Sequence, residues 1–280
     1  MAKAASVLAA VLAFLLAVVG CAPGKPDRQA AEQTVAVERR EPVDITELVL
    51  AIPGPEPVPL RMLRIPAGSF VMGSPEGTGH ADEQPGQRVT ISQPFWLGVY
   101  PVTQAQWQAV MGTNPSHFTG DPERPVDSVT WTDCQEFVGK LSSLGIGTFR
   151  LPTEAEWEYA CRADTVSRYF WGDEPERMGD YVWYRENAGE ETHPVGEKKP
   201  NPWGLYDMNG NVLERCEDWY GPYTAGDKTD PKGPAKGADC VMRGGSWNCG
   251  PAYCRPAARG WCSPFCRYNF YGFRLVRLGE

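Results

Sequence analysis

Residues 243–277 read RGGSWNCGPAYCRPAARGWCSPFCRYNFYGFRLVR, and the reading of the whole chain turns on this stretch. It holds four cysteines, six arginines and a dense set of aromatics, with no carboxylate, lysine or glutamine. RGGSW frames it at one end and GFRLV at the other. Three roles are open to Cys249 and Cys254: a reactive pair, struts of a disulfide framework, or parts of a binding surface.

The surrounding chain narrows the choice. Its 280 residues carry a formal net charge of −8, which argues against a nucleic-acid partner, because phosphate binding needs a concentrated basic face. Hydrophobic residues make up 42% and charged residues 22%, the balance of a globular protein. Thirty glycines and 26 prolines predict a loop-rich fold with many turns.

Residues 1–20 read as a targeting segment: Lys3 precedes the apolar run VLAAVLAFLLAVVG, which is too short for a membrane span and suits a signal peptide. AVVGC ending at Cys21 looks like a bacterial lipobox, so Cys21 is the expected lipidation site and residues 21–58 a tether. The expected location is the bacterial cell envelope, periplasmic or surface-exposed. Nine cysteines less Cys21 leave eight, an even number, for which disulfides are the default in an oxidising compartment.

A domain is expected over residues 59–280. MLRIPAGSFVMG alternates and ends in glycine, predicting a strand, and FWLGVYPVT predicts a second strand leading into a helix. Three capping boxes predict helix starts: Thr103 with Gln106, Thr132 with Gln135, and Thr153 with Glu156. The second helix places Cys134, Phe137, Val138 and Leu141 on one face, and the third does the same with Trp157, Ala160 and Cys161. Beyond Tyr169 turn residues dominate, so the fold class is α+β with few helices, short strands and much irregular chain.

IPAGSFVMGS, YPVTQAQW, PVDSVTW, RLPTEAEWEYACRA, YFWGD, THPVGEKKPNPWGLYDMNGNV, EDWYG, RGGSW and YGFRLVR follow one another in order. Together they resemble the formylglycine-generating enzyme family, also called the sulfatase-modifying factor domain, over roughly residues 60–278. The resemblance implies a C-type-lectin-like fold. It leaves function open among copper-dependent oxidases that convert a sulfatase cysteine to formylglycine, iron-dependent sulfoxide-forming enzymes, and non-catalytic binding proteins. The iron branch needs a histidine cluster, and His80, His117 and His193 are far apart.

For the oxidase branch, the resemblance implies Cu⁺ held by Cys249 and Cys254, a soft ion on soft ligands. Counted back from YGFR, however, the segment is shorter than in the oxidases and has the length of non-oxidase members. There the resemblance implies a Cys161–Cys254 disulfide. The aromatic pair of the family's NVWEW motif is replaced here by Leu213 and Arg215. YDMNGNVLER is similar to the family's calcium loop, implying Ca²⁺ held by Asp207, Gly210, Val212 and Glu214.

Residues 248–271 have a second distinctive property. Apart from Trp261, every one belongs to the set reachable from an Asn codon by replacing its first two bases, and Lys, Glu, Gln and Met are missing. This is similar to variable regions written by diversity-generating retroelements. The aromatics supply large contact area at low rotamer cost, and arginines add planar donors. The candidate ligand-binding residues are Asn248, Cys249, Tyr253, Trp261, Phe265, Arg267, Tyr268, Asn269, Phe270 and Tyr271. Arg255, Arg259, Trp247 and Phe273 match framework positions. The sequence therefore reads as a monomeric, lipid-anchored domain binding a protein or glycan ligand, with the copper oxidase as the alternative.

Overall fold

The computed structural model describes residues 45–279, so the targeting segment and Cys21 lie outside the described residues. Three sheets and four helices build the domain. β1 (Glu47–Ile52) and β2 (Val58–Ile65) form an antiparallel hairpin, with Glu47 opposite Leu63 and Ile52 opposite Val58. The expected tether to residue 58 is thus corrected: PGPEP is the hairpin turn, and alternate burial in LVLAI gives β1 a face to pack. The single strand expected in MLRIPAGSFVMG is two. Pro66 and Ala67 separate β2 from β3 (Gly68–Met72), and the two strands join different sheets.

β3 pairs with β4 (Gln87–Ile91). β5 (Phe95–Gly98) lies beside β2 and leads toward α1 (Gln104–Met111). Thr103 caps α1 with Gln106 in a reciprocal box, as the sequence predicts. The box of α2 (Trp131–Ser143) is Thr130 with Asp133, two residues earlier than expected. VTWTDCQ contains two overlapping box frames. The earlier one is selected because it puts Trp131 in the first turn, where its Nε1 donates to Cys216 O and its ring stacks on Trp219. The expected core face of α2 is buried in full.

β6 (Thr148–Arg150) precedes α3 (Glu154–Arg162), whose predicted Thr153–Glu156 box is present. All nine residues of α3 are buried, including Glu154, Glu156, Glu158 and Arg162, so the helix runs through the interior. A short α4 (Met178–Tyr181) and long irregular chain follow. β7 (Leu213–Trp219), β8 (Lys228–Thr229), β9 (Cys240–Arg243), β10 (Arg259–Cys262), β11 (Tyr271–Phe273) and β12 (Val276–Leu278) complete the chain. The sheets run β1-β2-β5-β12-β6, β10-β9-β7-β11 and β3-β4-β8.

β12 thus returns from the opening stretch to the N-terminal sheet, between β5 and β6, and β11 lies parallel to β7. One apolar cluster gathers around Trp157, Tyr169 and Leu97, and another around Phe137, Trp107 and Phe273. Among the described residues no helix is long and apolar enough to cross a membrane. The α+β class holds.

Candidate functional site

The site grows from β9 and the turn that follows it. Gly244 and Gly245 both have positive φ, 98° and 72°. A Cβ on Gly245 would lie 2.7 Å from Cys254 Sγ and 2.9 Å from Tyr253 O, so only glycine lets the returning chain close down here. Beyond the turn, Ser246 Oγ lies 3.3 Å from Cys249 Sγ and donates to Asn248 Oδ1 at 2.7 Å. A short 3₁₀ turn over Pro251–Tyr253 then delivers Cys254 beneath Gly245. Cys249 is half-buried and opens on a cavity of about 220 Å³, whose walls include Leu213, Ala258, Tyr253 and Trp261.

Cys254 is fully buried. Burial pushes its thiol well up, and the neighbouring Cys249 adds to the shift. Both thiols are free, as is Cys161. The expected Cys161–Cys254 bond is therefore corrected: Cys161 faces Asn209 Oδ1 at 3.5 Å, whereas Cys254 packs on Gly245 beside Cys249. The bond that does form is Cys262–Cys266, which sequence counting left among several possibilities. Among the described residues no group of three or more His, Cys, Asp or Glu side chains could hold a metal. A soft ion would therefore rely on Cys249 and Cys254 alone, a donor pair whose chemistry fits Cu⁺.

Four of the six arginines of the stretch turn inward. Arg243 meets Glu158, Arg255 meets Glu83 at 2.5 and 2.9 Å, Arg259 meets Glu154 at 2.6 and 2.9 Å, and Arg274 meets Glu214 at 2.8 Å twice. All eight residues are buried. The carboxylate-free stretch thus supplies the counter-charges for acids elsewhere in the chain. Reading Arg255 and Arg259 as framework is correct, and the ion pairs with Glu83 and Glu154 escaped sequence reading because the partners lie more than one hundred residues away.

What the stretch exposes is aromatic. Tyr253, Trp261, Phe265 and Tyr268 are 52%, 53%, 77% and 51% exposed. Trp261 stacks on Tyr220 at 4.7 Å, and Tyr268 on Phe270 at 5.2 Å. Arg267 is exposed but engaged, donating to Asp133 Oδ2 and Ser128 O at 2.7 Å each. Asn248, Asn269 and Phe270 are half-buried, and Asn269 O accepts from Trp247 Nε1. Tyr271 is a correction: it is buried in β11 opposite Leu213, with the Arg215 guanidinium 5.1 Å from its ring centre.

Of the two carboxylates in the loop expected to hold calcium, one is without an ion-pair partner among the described residues. Glu214 accepts from Arg274 on both oxygens and from Trp157 Nε1 at 2.7 Å, so its charge is already matched. Asp207 is different. It accepts from Gly196 N at 2.7 Å and from the Asn211 side chain, both neutral donors, and burial pushes its carboxyl up to about 6. Gly210 holds the loop against its neighbour, since a Cβ there would lie 2.2 Å from Trp183 O.

Comparison with known proteins identifies the family. The family model for a sulfatase-modifying factor enzyme 1-like domain matches residues 52–278. A formylglycine-generating enzyme from Bos taurus is 31% identical, covering 91% of this chain and 85% of that protein. Another, from Streptomyces coelicolor, is 38% identical over 65% of this chain and 60% of its own length. Among solved structures, Treponema denticola variable protein 1 superposes with a TM-score of 0.77 at 32% identity, covering 83% of this chain and 99% of that one.

Proposed function

Because the chain belongs to the sulfatase-modifying factor enzyme 1-like family, we propose that it is a ligand-binding member, with residues 243–277 as its contact region. The observation that carries this reading is the group of four half-exposed or more exposed aromatics within sixteen residues, Tyr253 to Tyr268. Aromatic side chains bury about 150–250 Å² each, and leaving four in water forgoes stabilisation that a partner would recover. Trp261 and Tyr253 also wall the cavity at Cys249. The ligand is a protein or a glycan. Similarity to a variable protein supports a contact region that differs between copies, in line with the codon pattern of residues 248–271. The chain acts as a monomer at the bacterial envelope, tethered through a lipid on Cys21.

The test is a glycan array and an envelope-protein library, probed with the wild type and with a Trp261→Ala/Phe265→Ala/Tyr268→Ala variant. At least a tenfold loss is expected in the variant. A wild-type ligand that binds the variant equally well would overturn the reading.

A second reading, the copper oxidase, is favoured by one observation: Cys249 and Cys254 are neighbouring free thiols. Cys249 and Cys254 would hold Cu⁺ as thiolates, and copper would supply one-electron chemistry with oxygen. Ser246 orients Cys249 toward the cavity, and the apolar setting of Cys254 keeps it protonated until a cation arrives. Titration with Cu⁺ against a chromogenic chelator separates the readings. A tight one-to-one complex lost in Cys249→Ser supports the oxidase, and no competition with the chelator supports the binder.

Calcium belongs to either reading. Asp207 would hold it together with the carbonyl oxygens of Gly210 and Val212, and Glu214 would contribute only by sharing its charge with Arg274.

A further inference from the structure

β9 and β10 run antiparallel with Cys240 directly opposite Cys262, and Cys262 is bonded to Cys266. Cys240 is a free thiol. Directly opposed residues on antiparallel strands share a face, with Cα atoms about 4.5–5.5 Å apart, inside the span that a disulfide bridges. Strand register therefore brings Cys240 next to a bonded pair of cysteines.

A cation completes the group. Arg215 lies beside Cys240, is fully buried, and has no carboxylate partner among the described ion pairs. Its Nε donates to Val129 O at 3.2 Å and one Nη to Cys266 O at 2.6 Å, while the other Nη has no hydrogen-bond partner. Arg215 thus grips the backbone of the bonded cysteine while its charge faces two free thiols, Cys134 and Cys240.

We propose that Cys240, Cys262 and Cys266 form an exchange relay in which the bond moves from Cys262–Cys266 to Cys240–Cys262. When the pair of strands opens locally, the Cys240 thiol, 1% exposed at rest, gives its proton to solvent, and the thiolate attacks Cys262 Sγ. The Cys262–Cys266 bond breaks, its electron pair leaves on Cys266 Sγ, and that sulfur takes up a proton. One disulfide is present before and after, so no oxidant is consumed. The exchange opens the ring that closes residues 262–266 and frees Phe265 and the Cys266 thiol at the surface. It stands whatever ligand the face takes.

The charges around Cys240 set its speed. Burial pushes the thiol up to about 11; Arg215 opposes that shift, and Asp239 and Glu217 add to it. Attack requires thiolate, so below that value the rate rises roughly tenfold per pH unit.

Trypsin makes the two states separable. Cleavage after Lys236, Arg243, Arg259 and Arg267 leaves Cys240 in peptide 237–243, and Cys262 with Cys266 in peptide 260–267. The full chain, incubated without reductant at pH 7.5 to 9, acid-quenched, alkylated and digested, is expected to yield peptide 260–267 with an internal bond. A cross-linked pair of peptides should form alongside it, faster at higher pH. Cys266→Ser with oxidised glutathione should yield the Cys240–Cys262 cross-link, and Cys240→Ser should yield only the internal bond. Far-ultraviolet circular dichroism checks that both variants fold. The proposal is overturned if the wild type shows no cross-link at pH 9, or if Cys266→Ser gives glutathione on Cys262 with Cys240 alkylated.

Discussion

Four arginines of residues 243–277 sit in the interior, and each finds a carboxylate contributed by another part of the chain. Arg255 and Glu83 show the energetic consequence. Burial alone would push the Glu83 carboxyl up, but hydrogen bonds from Arg255 and Ser74 outweigh it and hold the group below its usual range. Arg255→Leu leaves that carboxylate buried without its cation, and urea denaturation should show a loss of about 3–5 kcal/mol. Phe265→Ala should behave in the opposite way. With most of the ring in water, its stability should stay within about 0.5 kcal/mol of wild type, while ligand affinity falls. A large stability loss on Phe265→Ala would show the ring to be structural.

At the level of elements, α2 tests which of two overlapping signals the chain uses. Thr130 accepts from Asp133 N at 3.0 Å, and Asp133 accepts from Thr130 N at 2.8 Å. Thr130→Ala should therefore cost about 1 kcal/mol in thermal or urea unfolding, and Thr132→Ala close to nothing. Equal losses would mean that the helix start frays between the two frames. The case also marks what sequence can resolve. Helical spacing was enough to find the core face of α2, because burial there follows period; α3 is buried on every side, so Trp157, Ala160 and Cys161 mark only part of what it buries. The frame of the α2 cap depends on Trp131 reaching Cys216 O on β7, a contact no local pattern contains. Similarly, motif order was enough to identify the lectin-like fold, and aromatic content to mark Trp261 and Phe265 as surface. Tyr271 went astray because membership of β11 is set by its pairing with Leu213, more than fifty residues earlier. The nearness of Cys240 to Cys262 was equally out of reach, since it follows from strand register alone.

For the whole molecule, the buried carboxylates set how stability responds to pH. Burial pushes Asp207 up to about 6. It pushes Asp218 up to about 8, where the nearby Glu154 adds to the shift and the Glu154 backbone N–H opposes it. A carboxyl raised in the folded state stabilises the fold while neutral, and that contribution is lost as pH rises through the folded value. Glu83, lowered in the folded state, acts the other way and loses its contribution as pH falls below the ordinary carboxylate range. The unfolded chain releases the protons of Asp207 and Asp218 near pH 4, so the metal-free protein should lose stability as pH rises from there, most steeply up to about pH 6, more gently from 6 to 8 and no further above that, and it should also weaken in acid. Asp218→Asn should remove the decline above pH 6 and make the one below it shallower. At the proposed site calcium should offset the loss at Asp207, because an ion held there would replace the proton that burial favours. Between pH 7 and 8, millimolar calcium should raise the melting temperature over a chelator control, and Asp207→Asn should abolish that difference. A calcium effect that survives Asp207→Asn would place the ion elsewhere and leave Asp207 as a buried acid that costs the fold stability once it ionises.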